Sequence, residues 1–178
     1  MIWSAGREDM STAYLTRDVL LRWIPLESVS RAVVLYGFEL ELLSARDAVD
    51  IELARYTEGA LLDDVEEALA LLLSDELGRV RELLHDGGSV EGSDEVALVW
   101  FLSAASELYE YWNRVSVPTE RLFSLLEYLE LDELYSDLVY LAPISFWRRV
   151  SRSSFRDRLA LRLIEVRSLL DISSVPAS

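Results

Sequence analysis

The chain has 178 residues, a formal net charge of −15, no cysteine and no lysine, all 17 of its basic residues being arginine. The missing cysteine excludes structural disulfides, thiolate zinc sites and cysteine nucleophiles. The missing lysine excludes Schiff-base enzymes, P-loop nucleotide binding and the lysine–glutamate machinery of kinases.

Apolar residues recur at spacings of three and four with no strand-like alternation, which predicts an all-α, single-domain, irregular helical bundle of about seven to nine helices. It divides into an N-terminal arm (1–15), an acidic helical body (16–143) and a basic C-terminal helical segment (144–178). Thr16 opens a short helix reaching Ile24, and Pro25 suits the first position of the next. That second segment, LESVSRAVVLYGFELELL, carries Gly37 as a break or kink. Ser44 and Asp47 form a capping-box pattern before ARDAVDIELARY, and a helix through DDVEEALALLL follows. Ser74 is placed to cap DELGRVRELLH, which stops at the glycine pair of the loop DGGSVEGS. Ser93 caps the long helix DEVALVWFLSAASELYEYWNRV, ending near Pro118. Pro118 and Glu120 open TERLFSLLEYLEL, and a short helix follows as far as Tyr140 and Pro143. Ser154 with Asp157 caps the last helix, FRDRLALRLIEVRSLL, and the tail after Asp171 is expected to fray.

The N-terminus has no basic stretch leading into an apolar run. The longest uninterrupted apolar run, residues 96–102, is far short of the about 20 residues that a span requires. A cytoplasmic location without a membrane span is expected.

Charge is unevenly spread. Residues 1–46 carry a net of −1, residues 47–140 a net of −18, and residues 141–178 a net of +4. Such a body lacks the basic footprint that phosphate neutralisation demands, so nucleic acid is not an expected partner. A cationic protein partner is, because carboxylate-rich helices attract and orient it. In the last helix, Phe155, Leu159, Leu163, Val166 and Leu170 form one stripe, with Arg156, Arg158, Arg162 and Arg167 around it. The stripe is expected to pack into the bundle and to set the arginines beside the acidic body, where a basic amphipathic helix could otherwise lie on a membrane.

Catalytic and metal motifs are lacking. His85 is the only histidine; no Gly-x-Ser-x-Gly elbow accompanies it, and its place at a helix C-terminus suits a capping or solvated cation. Diiron bundle sites need two Glu-x-x-His pairs, and no EF-hand spacing occurs. Neither a metal nor another cofactor is expected.

The stretch LEYLELDELYSDLVYLAP, residues 126–143, holds five carboxylates, three tyrosines and six leucines, and no basic residue. Leu122, Leu126 and Leu129 step along one face, and Leu131, Leu134, Leu138 and Leu141 along the next, so the leucines are expected in the core. Glu127, Tyr128, Glu130, Asp132, Glu133 and Tyr135 are then left outside, a mixture of aromatic anchors and charges that suits protein recognition. Asp63, Asp64, Glu66 and Glu67 form a second candidate patch at a helix start, where acids also favour the helix dipole.

Two stretches, LTRDVLLRWIPLESVSRAVVLYG (15–37) and PTERLFSLLEYLELDELYSDLVYLAP (118–143), resemble an uncharacterised family of small all-helical bacterial domains, a domain of unknown function. That family carries a Tyr-Pro pair in the middle of its acidic segment, and this chain lacks the proline. Domains of this sort stand beside bacterial toxin genes and are taken for immunity proteins, so the resemblance implies an inhibitor role and brings no catalytic residues. The expected function is a non-enzymatic protein-binding domain, an immunity or inhibitor protein that meets a basic toxin through its acidic surface. The alternatives are a carboxylate-dependent hydrolase with a site inside the bundle and an oligomeric scaffold, a homo-oligomer whose basic last helix docks on a neighbouring subunit's acidic body.

Overall fold

The structure is a computed structural model that describes residues 14–86, 93–135 and 152–172. Among them are eight α-helices: α1 (Arg17–Trp23), α2 (Arg31–Glu39), α3 (Ala45–Thr57), α4 (Asp64–Ala70), α5 (Val80–Asp86), α6 (Ser93–Glu110), α7 (Pro118–Tyr128) and α8 (Arg152–Leu169). Short 3-10 turns, Leu26–Ser28 and Leu77–Arg79, precede α2 and α5. The described residues form an all-α bundle without strands. The N-terminal arm as far as residue 13, the centre of the DGGSVEGS loop, residues 136–140 of the short helix expected to end at Tyr140 (as far as Tyr135 the chain forms a turn), the start of the basic C-terminal segment as far as residue 151, and the tail from residue 173 lie outside the described residues.

The apolar run picked out by sequence is the centre of the molecule. Every residue from 96 to 108 is buried, as expected of a helix apolar all round, and α1, α2, α7 and α8 all pack on α6. A second layer, α3, α4 and α5, reaches this centre through α2. Gly37 is not a kink but a contact point inside α2. A Cβ built there would stand 2.3 Å from Cζ2 of Trp100. The missing side chain therefore lets the indole lie against the α2 backbone, where its Nε1 donates to the Val33 carbonyl at 3.1 Å.

Local capping follows sequence closely in the first half. The Thr16 hydroxyl accepts from the N–H of Val19, and Ser44 and Asp47 complete a reciprocal capping box on α3. Other boundaries differ. Pro25 precedes a 3-10 turn, and Ser30 begins α2. Ser74 caps nothing; its hydroxyl accepts from Arg46 at 3.0 Å, and α5 starts only at Val80. Helix α6 stops at Glu110, the chain folds into turns from Tyr111, and Val117 takes a left-handed φ of 50° ahead of Pro118. Helix α8 begins at Arg152, so Ser154 lies inside it instead of capping it.

Three helix ends share an uncommon device. Helices α2, α7 and α8 each close with a left-handed residue, and it is acidic: Glu41 (φ 58°), Glu130 (φ 57°) and Asp171 (φ 51°). In each case the next residue's N–H bonds back across the last turn: Leu42 to the Gly37 carbonyl at 2.8 Å, Leu131 to Leu126 at 2.8 Å, Ile172 to Arg167 at 3.0 Å. This is the Schellman pattern, in which glycine is usual. Only the fourth instance, after α3, uses one, Gly59 at φ 81°.

Candidate partner-binding surface

Two of these closures stand side by side. Tyr128, at the end of α7, donates its hydroxyl to the Leu40 carbonyl at 2.9 Å, which ties the end of α7 to the end of α2. Tyr36, one turn earlier on α2, lies in the same neighbourhood. Burial pushes its phenol up to about 12, and Glu130, Tyr128 and Asp94 push in the same direction. Tyr128 is raised by burial and then by Glu41. Both rings thus stay neutral at physiological pH. They form a half-buried aromatic floor with Glu41 and Glu130 exposed at its edge.

The candidates in the acidic segment divide. Glu127, Glu130 and Glu133 are exposed, and Asp132 and Tyr128 are half-buried. Tyr135 is a correction. It is buried at 4%, stacks on Phe101 at 5.3 Å between ring centroids, and lies beneath the Arg162 guanidinium. Leu134, expected in the core, is instead 57% exposed. The left-handed turn at Glu130 resets the helical phase, so a period carried across it assigns the inner and outer faces wrongly. Leu138 and Leu141 lie outside the described residues.

In the second patch Asp64 and Glu67 are exposed, whereas Asp63 caps α4 and pairs with Arg31 at 3.0 Å. Glu66 is again a correction: it is buried and cannot meet a partner. One of its oxygens accepts from the N–H of Asp63 and the other from Arg55 at 2.9 Å. Arg55 also holds Glu52, which is wholly buried. Burial raises Glu52 to about 7 despite the opposing pull of Arg55. Sequence reading missed this trio, although Glu52 and Arg55 fall on the same α3 stripe as Ala48 and Ile51.

Elsewhere, the α8 stripe packs inward as expected, with Phe155, Leu159, Leu163 and Val166 buried. Two of its arginines stack on rings: Arg156 over Tyr109 at 4.7 Å and Arg158 over Phe155 at 4.7 Å. His85 meets Glu39 at 3.2 Å. A cavity of about 330 Å³ opens between the start of α2, the start of α6 and the end of α8. Its lining includes Ser28, Ser30, Val99 and Ile172, with Glu95 its one carboxylate. Among the described residues no three side chains of metal-binding type converge, and no helix is long and apolar enough to cross a membrane. Comparison with family models, curated proteins and solved structures found no match for the chain.

Proposed function

We propose that this chain is a non-enzymatic binding domain that captures a basic protein, in the manner of an inhibitor or immunity protein, through the surface formed by the ends of α2 and α7. The observation that carries the reading is the pairing of Tyr36 and Tyr128 with Glu41 and Glu130 at two adjoining helix ends. Neutral phenols offer flat contact area, and the flanking carboxylates orient an incoming guanidinium or ammonium group. The excess of 18 negative charges over residues 47–140 would speed the encounter at low salt. The carboxylate-dependent hydrolase has less support: the one raised carboxylate described, Glu52, is fully enclosed and is not part of the cavity that contains Glu95.

The test is association with a short arginine-rich peptide, followed by stopped-flow tyrosine fluorescence across a salt series. Reversing Glu41, Glu130 and Glu133 to lysine should slow association by about tenfold and flatten its salt dependence. An unchanged rate in that variant would count against this surface.

A further inference from the structure

We infer that the outer edge of the α3–α4 hairpin is a second docking surface, shaped for a cationic amphipathic helix of another protein. Large apolar side chains at the described surface concentrate there: Leu53 is 40% exposed, Tyr56 44%, Leu61 100%, Leu71 54% and Leu73 64%. Scattered exposed leucines are ordinary, but a contiguous group marks a contact site. The hairpin gathers this group onto one pair of packed helices. Helices α3 and α4 pack together. Arg55 joins Glu66 near one end of the pair, and Arg46 joins Ser74 near the other, so the two helices run antiparallel. Tyr56 and Leu61 then lie towards the end where the chain turns, Leu71 and Leu73 towards the opposite end, and Leu53 between them. The edge is about two to three helical turns long.

Charge selects the occupant. Residues 47–78 contain ten acids and a single arginine. That arginine, Arg55, is buried and engaged by Glu52 and Glu66. The hairpin's one exposed cation, Arg46 at the start of α3, is paired with Asp50, while Glu58, Asp64, Glu67 and Asp75 are exposed around the leucines. A second copy meeting the same edge would set like charge against like. Helix α8 of a second copy is no better suited. Three of its arginines, Arg156, Arg158 and Arg162, are stacked on rings, and its exposed Leu161 and Ile164 have Asp157 and Glu165 for company. The matching surface is a helix with leucines at i, i+3, i+4 and i+7 flanked by arginine or lysine, bound face to face.

This surface is separate from the tyrosine patch and stands or falls without it. The test uses the full chain and two synthetic peptides of identical leucine–arginine composition, one with its leucines on a single helical face and one scrambled. Calorimetry should give at least tenfold tighter binding of the amphipathic peptide, and amide exchange should show protection concentrated in residues 53–73. The variant Leu53→Gln/Leu71→Gln keeps good helix formers at exposed positions. It should melt within a few degrees of the parent and lose at least tenfold in affinity. Leu161→Gln/Ile164→Gln, at exposed apolar positions of α8 outside the hairpin, should bind the peptide as the parent does. Equal affinity for the two peptides, protection outside the hairpin, or unchanged binding by the leucine variant would overturn the inference.

Discussion

Burial takes water from the Glu52 carboxylate, and the one guanidinium within reach, that of Arg55, is shared with Glu66. Two carboxylates on one arginine is an unbalanced arrangement, and it is relieved when Glu52 holds a proton. The other charges nearby are Arg31 on α2 and its partner Asp63; Arg31 favours ionisation, but burial outweighs it. Glu52 is raised from 4.5 to about 7. Between those values the folded chain keeps a proton that the unfolded chain has released. The stabilisation from this group is therefore complete below about pH 4.5, declines as pH rises through the window, and is gone above about pH 7. Glu52→Gln keeps an acceptor for Arg55 and removes the titration. It should match the parent near pH 5 and exceed it at pH 8 by on the order of 1–3 kcal/mol in urea unfolding. A parallel pH dependence in the two proteins would show that Glu52 is ionised throughout.

Helix ends are where local chemistry and tertiary position disagree most in this fold. A left-handed residue other than glycine costs about 1–2 kcal/mol, and a carboxylate at a helix C-terminus meets the negative end of the dipole. Glu41 and Glu130 carry both penalties. Replacing either with glycine should raise stability by about 0.5–1 kcal/mol, part of the gain being offset by the greater freedom of glycine in the unfolded chain. If these carboxylates serve the tyrosine patch, the same variants should bind an arginine-rich peptide more weakly while melting higher. A loss of stability would mean that the side chains hold the turns through contacts of their own. These closures also explain what could be read from sequence. The capping boxes of α3 and α4 use residues three apart and were open to local reading for α3, where Ser44 and Asp47 are the pair. The buried run of α6 announced itself by composition. Tyr135 and Leu134 exchanged roles because the Leu129-Glu130-Leu131 turn breaks the period, and nothing local reveals that a glutamate will adopt φ 57°. The neighbourhood of Tyr36 and Tyr128 joins residues 92 positions apart, a juxtaposition made by the packing of α2 and α7 beside α6 and by the bond to Leu40.

Across the whole molecule two electrostatic effects oppose each other. The acidic mid-section repels itself, with a net of −18 over residues 47–140, and that repulsion weakens the compact state. Ion pairs act the other way, and salt screens both. The pairs described are mostly exposed: Arg46 with Asp50, Arg79 with Glu76 and Arg31 with Asp63 have at least one partner more than half open to solvent. Each such pair contributes about 0–1 kcal/mol. The pairs of Arg55 are enclosed and so little affected by dissolved ions. Helix α8 is held by Phe155, Leu159, Leu163 and Val166 and by arginines stacked on rings, and its apolar contacts are not screened by salt. Repulsion is thus the component that salt relieves most. Raising sodium chloride from about 20 mM, where the screening length exceeds 20 Å, to about 300 mM, where it is near 6 Å, should increase the melting temperature by a few degrees, since 1 kcal/mol corresponds to about 2–4 °C in a chain of this size. Glucose at equal osmolality should not reproduce the increase. A melting temperature that falls with salt would mean that ion pairing, not apolar packing around α6, holds the layers together.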